Sequence, residues 1–350
     1  MKHMAKKKNL AALLLLCGIP GWLAAQSAPP KKPSTPPTSA SKPTTTRRPD
    51  FPPASLVMNG FSQVTPVGEN KQSMWNIYVR KKDNQMYGEL PGSYASQRYY
   101  IALTISSGDL FAGLHYREML VYWRRYDKSL ALIAPQLEMR STGEVESKSS
   151  VKRIFTDRVL LSVPIACIGP KGGPVIDLDK LFVSGASSFF GSSVRGALAS
   201  RIFSIAKAKT FPKNVELAFE MPASNGQLTT LHYSISPIRG TPGYRPRKAD
   251  ERIGYFTTSY SDLGKYKDED VRTRFINRWH IEKRDPKLTL SPPKKPITFY
   301  IEHTTPARYR YWVKQGILSW NKAFEKIGIR EAIEVHYQDA ATGRYMDLDP

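Results

Sequence analysis

The chain has 350 residues, 41% of them hydrophobic, and carries 52 basic against 30 acidic side chains for a formal net charge of +22. That length allows one large or two ordinary domains, and the apolar content excludes a wholly disordered chain. The basic residues are dispersed, with no Lys/Arg-rich helix, helix-turn-helix pattern or zinc-finger spacing. No nucleic-acid partner is expected; a dispersed excess suits solubility and adhesion to an anionic envelope surface.

Residues 1–25 read as a signal peptide. Lys2, Lys6, Lys7 and Lys8 precede the apolar run Leu10 to Cys17, and Ala24 and Ala25 precede Gln26; this is the order of an export signal. The run is too short to span a bilayer, and Gly18, Pro20 and Gly21 interrupt it. A lipid-bearing Cys17 is disfavoured by the bulky Leu16 before it. The expected location is therefore outside the cytoplasm: periplasmic, outer-membrane-associated or extracellular. Only Cys167 remains after removal of the signal, so no internal disulfide is available and stability must come from burial. In "LLSVPIACIG" Cys167 reads as a buried inert thiol.

Residues 26–54, rich in Pro, Ser, Thr and Lys with one aromatic, cannot bury enough apolar surface to offset ordering, and predict an extended tether. The signal and tether leave about +14 on residues 55–350.

Residues 55–245 predict a β-rich accessory or pro-domain region, with an alternative division into two modules near 144. Runs at 74–79, 98–106, 117–126 and 129–139 are rich in β-branched and aromatic residues separated by turn formers. Their Arg and Lys suit strands with one wet face, and their aromatics read as core. Val151, Ile154, Phe155 and Val159 stand at helical spacing before the strand "RVLLSVPIACI". "GPKGGP" lacks the spacing and the Gly-Lys-Ser/Thr ending of a phosphate loop and reads as a turn. "VIDLDKLFVSG" predicts a strand entering a short turn, and "VSGASSFFGSSVRG" a flexible loop without a nucleophile-elbow spacing. Residues 211–222 and 228–237 predict a hairpin about Asn225-Gly226. The carboxylate pairs Asp177/Asp179 and Asp268/Asp270 fall in turn-like contexts and read as solvated.

Residues 246–296 form a linking segment, basic and Pro-containing, with a strand expected at "GYFTTSY". It is either a surface loop laced by Arg–Asp pairs or an ordered dock between domains. "ITFYIE" (297–302) is then a strand. Thr305 can cap a helix, Pro306 fits its first position, and Tyr309, Trp312, Val313, Ile317, Trp320, Phe324 and Ile327 draw one stripe along residues 306–327, about 33 Å at 1.5 Å per residue. Gly328 stands where a left-handed C-cap belongs, and "AIEVHY" (332–337) is a returning strand. Strand, covering helix and strand favour a right-handed βαβ crossover.

Four blocks in the same order, "RPRKADERIGYFTTSY", "RWHIEKRDP", "PPKKPITFYIE" and "GILSWNKAFEKIGIREAI", resemble the central portion of a family of secreted bacterial zinc-dependent metalloproteases. In that family, domains of unknown function precede a metzincin-like catalytic domain. The similarity is densest from about 210 to 340 and fainter from about 60 onward. The resemblance implies an α+β chain, in which the β-rich region is followed by the strand-helix-strand start of a metzincin-like α/β catalytic domain at 297–350. It implies zinc and peptide-bond hydrolysis for the full-length family, with a C-terminal catalytic portion and a peptide or protein substrate as partners.

The zinc motif His-Glu-x-x-His puts two ligands on one helix face with a Glu to activate water. His3, His115, His232, His280, His303 and His336 include no pair four apart, and none is followed by Glu. The resemblance therefore carries no catalytic, cofactor-binding or metal-binding residue onto this chain, no zinc is expected on it, and alone it should be inactive. The alternative is a non-catalytic exported β-rich binding or envelope-associated protein.

Overall fold

The structure, a computed structural model, describes residues 50–67, 71–191, 194, 202–265 and 271–345. The residues read as a signal peptide, and all but the last few of those read as a tether, lie outside them. The described residues fall in one compact unit, Pro49–Pro350.

A short helix, α1 (Ala54–Val57), leads into β1 (Ser62–Gln63), β2 (Asn76–Arg80), β3 (Gln85–Glu89), β4 (Arg98–Ser107), β5 (His115–Tyr126) and β6 (Ser129–Ala134). The two-residue β7 (Met139–Arg140) and helix α2 (Val145–Ile154) follow. Then come β8 (Arg158–Ile168), β9 (Pro174–Asp177), the buried helix α3 (Ala186–Phe190), β10 (Ser204–Thr210), β11 (Val215–Pro222) and β12 (Leu228–Pro237). Among the described residues, eleven of these strands make one antiparallel sheet in the order β1-β2-β3-β9-β8-β6-β5-β4-β12-β11-β10. The sheet crosses position 144 without interruption, because β6 pairs with β8 and α2 is an excursion between them. Val159, placed with the α2 apolar set by sequence, instead belongs to β8.

The sheet curls until its ends meet. Val67 and Met74 donate backbone N–H groups to the carbonyls of Thr210 and Phe211, and Asn84 exchanges side-chain hydrogen bonds with Phe203 and Ile205. Alternation decides what lies inside: Tyr99, Ile101 and Leu103 of β4 are buried, as are Leu217, Phe219, Tyr233 and Ile235 across β11 and β12. The expected hairpin turn is present, with Gly226 at φ +85°.

Two sequence expectations change here. Past β9 the chain does not end in a simple turn; it makes a π-helical turn, Lys180–Ser184, and then α3. Leu181, Phe182, Val183, Phe189 and Phe190 are all buried in the main core, so the part of "VSGASSFFGSSVRG" that is described is a plug within the curl and not a flexible loop. Tyr233 donates its hydroxyl to the Phe182 carbonyl at 2.7 Å, and their rings lie 4.4 Å apart. Burying each such side chain contributes about 1.5–3 kcal/mol.

The linking segment contributes β13 (Thr257–Asp262) and β14 (Arg272–Ile276), which pair antiparallel, while β13 runs parallel to β7. Asp262 clamps that junction by accepting the Thr142 N–H (2.9 Å), the Thr142 hydroxyl (2.6 Å) and the Gly264 N–H (3.1 Å).

The C-terminal part contains β15 (Ile297–Ile301), α4 (Ala307–Leu318), α5 (Asn321–Glu325) and β16 (Ile333–Tyr337), with β15 and β16 parallel. The single long helix expected over 306–327 is thus two pieces. Ser319 donates its hydroxyl to the Gly316 carbonyl, the acceptor an α-helix would offer to Trp320, and the Trp320 N–H bonds Ile317 instead. Such back-bonding tightens the turn and interrupts the ladder. Thr305 makes no cap; Pro306 occupies the N-cap position with extended ψ. Gly328 is left-handed at φ +83° as expected. The face that meets the sheet carries Arg310, Lys314, Ile317, Leu318, Asn321 and Phe324, all half-buried. Of the stripe read from sequence only Ile317 and Phe324 pack on this small core, while Trp312 (69%) and Trp320 (65%) are exposed.

Candidate functional site

In open α/β sheets, ligands collect beyond the carboxyl ends of parallel strands. At that end of β15 and β16 the His303 N–H approaches Gln338 Oε1 at 3.4 Å, and Gln338 donates to the Tyr345 carbonyl at 3.2 Å. The Arg310 guanidinium binds the carbonyls of Thr305 and His303. Its charge therefore orders the turn and does not face a ligand. His336 packs against Tyr300 at 5.6 Å and Tyr345 at 5.4 Å. His303 Nδ1 is buried without a hydrogen-bond partner.

The other histidines are elsewhere. His115 sits beside Glu118 (3.5 Å) on the exposed face of β5. His280 meets Tyr244 edge-on at 5.6 Å, with Glu282 at 3.6 Å. His232 is buried on β12 with Nε2 2.9 Å from Glu216 Oε2, while Ser234 and Asn214 donate to Glu216 Oε1. This closes the dyad as a cross-strand clasp. Among the described residues no group of three His, Cys, Asp or Glu side chains converges on a point; His3, Asp268 and Asp270 lie outside them. Cys167 is a buried free thiol, and burial together with the Glu89 charge pushes its ionisation up, away from nucleophilic use.

The solvated reading of Asp177 and Asp179 needs correction. Asp177 is half-buried and accepts the Lys180 N–H at 2.9 Å. Asp179 is 2% exposed; its Oδ2 accepts the Met86 N–H at 2.8 Å and its Oδ1 has no partner. Burial pushes this carboxyl up to about 8, because removal from water disfavours the charged form.

Sequence reasoning missed Glu89. It lines a cleft of about 690 Å³ with Gln63, Ser73, Asn76, Lys71 and Lys171, yet is itself almost fully buried. Oε1 accepts the N–H groups of Lys171 (2.7 Å) and Gly173 (3.3 Å); Oε2 accepts Tyr78 Oη–H (3.0 Å) and Asn76 Nδ2–H (3.2 Å). The turn "GPKGGP" is folded onto this carboxylate. A Cβ at Gly169 would stand 2.5 Å from the Glu89 carboxyl carbon, and one at Gly173 1.8 Å from the Leu90 carbonyl oxygen. The excess of glycines in the motif signals this close approach. With both oxygens engaged by neutral donors, Glu89 is a staple for the cleft wall and has no free lone pair poised as a base.

No helix among the described residues is long and apolar enough to cross a membrane. No curated protein and no solved structure matches the chain. Residues 113–284, from the β4–β5 connection through β14 and into the segment before β15, match the family described as "Domain of unknown function (DUF5117)".

Proposed function

We propose that this chain is the N-terminal, scaffolding portion of an exported zinc-dependent metalloprotease-like protein, in which the curled β-rich region is an accessory or pro-domain and residues 297–350 begin a metzincin-like α/β catalytic domain. The observation that carries this reading is the parallel β15–β16 pair crossed over by α4 and α5. Parallel strands are found in sheets wider than two and covered on both faces. Here both outer edges are unpaired among the described strands, and Tyr309, Trp312, Trp320 and Ile327 stand exposed along the helices. Further protein covering that stripe and extending that sheet would complete an α/β layer. The four-block resemblance suggests the reaction class: hydrolysis of peptide or protein substrates, for which zinc would supply the chemistry in the C-terminal catalytic portion. The resemblance carries no ligand to that metal onto this chain.

The test is to express the gene with its downstream reading frame and, separately, as this chain alone. The reading expects peptide hydrolysis that a chelator abolishes from the longer product only. Chelator-sensitive hydrolysis by the chain alone would overturn it.

A second reading, a non-catalytic exported binding or envelope-associated protein, is favoured by one feature, the polar cleft beside Glu89. It would require a stable product ending at Pro350 and saturable binding that Lys71 and Lys171 variants weaken.

A further inference from the structure

The connection from β12 to β13, residues 238–256, contains no helix and no strand beyond an isolated bridge at Lys248. Its first and last parts are anchored. Arg247 and Ala249 hydrogen-bond with the outer edge of β14 (Ile276 N–H to Arg247 carbonyl, 3.0 Å; Ala249 N–H to Arg274 carbonyl, 2.9 Å), and Asn277 donates to the Phe256 carbonyl at 2.8 Å. Because 247–249 and β13 lie on opposite sides of β14, residues 250–256 arch from one side of that strand to the other.

The arch reads Asp-Glu-Arg-Ile-Gly-Tyr-Phe and every residue in it is exposed. The Arg252 side chain is 87% exposed, held only by Asp250 at 2.7 Å, and exposed pairs of this kind are weak. Ile253, Tyr255 and Phe256 (87%) are apolar and exposed next to it, an arrangement the fold itself does not use. Arg239, in the same connection, is also exposed, but Gly240, Thr241 and Pro242 follow it and offer no run of large apolar side chains. Arg245 precedes Pro246, and the backbones of Arg247 and Ala249 are committed to β14.

We infer that the Arg252–Ile253 peptide bond is a processing site for an endopeptidase that selects a basic side chain on the acyl side, with Ile253, Tyr255 and Phe256 filling its leaving-side subsites. Water adds across the bond, the C–N bond breaks, and a carboxylate at Arg252 and an ammonium at Ile253 result. The cut does not release either piece. Upstream, Arg278 binds the Arg245 carbonyl at 2.9 Å and stacks on Tyr244 at 5.0 Å. Downstream, Ser261 donates to the Glu138 carbonyl (2.7 Å), Leu263 to that of Arg140 (2.8 Å), and Asp262 grips Thr142. The consequence is a clipped but assembled protein, in which the β-rich region and the C-terminal part are no longer joined covalently. This inference stands on the arch alone and does not depend on the proteolytic reading above.

Dilute trypsin on the purified chain, read by intact mass and N-terminal sequencing, tests it, together with the N-termini of the protein recovered from its producing cells. The expected result is a first cut within residues 55–350 giving Ile-Gly-Tyr-Phe, fragments that co-elute natively and separate in denaturant, and an Ile253 N-terminus in the cell-derived protein. Arg252→Gln should slow that cut at least about tenfold, while Arg239→Gln leaves it unchanged. A first cut at any other bond within residues 55–350, Arg239–Gly240 included, fragments that separate without denaturant, or cell-derived protein intact at this bond would each overturn it.

Discussion

Asn321 holds Ile333 by both of its backbone groups: Asn321 Nδ2 donates to the Ile333 carbonyl at 3.1 Å, and Asn321 Oδ1 accepts the Ile333 N–H at 2.8 Å. One side chain thus acts as a strand partner and fixes α5 against the start of β16. Asn321→Ala leaves two backbone groups of a buried residue unsatisfied, and such groups cost about 1–3 kcal/mol each. The expected outcome is faster hydrogen exchange across β15 and β16, with the large sheet unchanged. Equal exchange in variant and parent would contradict the anchoring role.

Asp179 predicts a pH dependence with a defined sign. Its carboxyl titrates at about 8 when folded, against about 3.9 for an unfolded Asp. Between those values the folded chain holds a proton the unfolded chain has lost, so stability falls as pH rises from about 4 to 8 and levels off above. Asp179→Asn should remove that slope and be more stable than the parent at pH 8.5, by on the order of a few kcal/mol. Denaturation midpoints measured from pH 5 to 9 check this; parallel curves for the two proteins would refute it.

Gly143 and Gly264 meet backbone to backbone beneath the Asp262 clamp. A Cβ at Gly264 would stand 2.2 Å from the Gly143 nitrogen, with no flexible side chain to yield. Gly264→Ala should destabilise by about 1–3 kcal/mol and loosen the β7–β13 junction. Thermal unfolding would show the loss; a variant as stable as the parent would mean that the junction can shift.

Glu89→Gln turns one acceptor oxygen into a donor inside a ring of donors. At least one N–H or O–H then loses its partner, at about 1–3 kcal/mol. Exchange should rise at Lys171 and Gly173 in particular. Unchanged protection there would contradict the staple.

What the sequence made legible follows from composition and turn chemistry. Runs of β-branched and aromatic residues between turn formers located β4 and β5, and the Asn225-Gly226 turn, readable because only a few residue types tolerate its backbone, located β11 and β12. The plug was not readable, because Leu181, Phe182, Phe189 and Phe190 are apolar all round and a short run of that kind has no period. The helix stripe was misplaced for a related reason. The face that meets the sheet mixes Ile317, Leu318 and Phe324 with Arg310, Lys314 and Asn321, so the most apolar stripe does not mark it. The break at Ser319 is a side-chain hydrogen bond, which a pattern of apolar positions cannot register. Glu89 and Asp179 were hidden because their importance lies in burial by segments about 80 to 90 residues away in sequence.

Zinc stoichiometry tests the central claim most directly. The account predicts that the purified chain retains no tightly bound zinc after dialysis, whereas the product extended by its downstream reading frame retains one per chain. One zinc held by the chain alone would contradict it, as would an extended product that holds none.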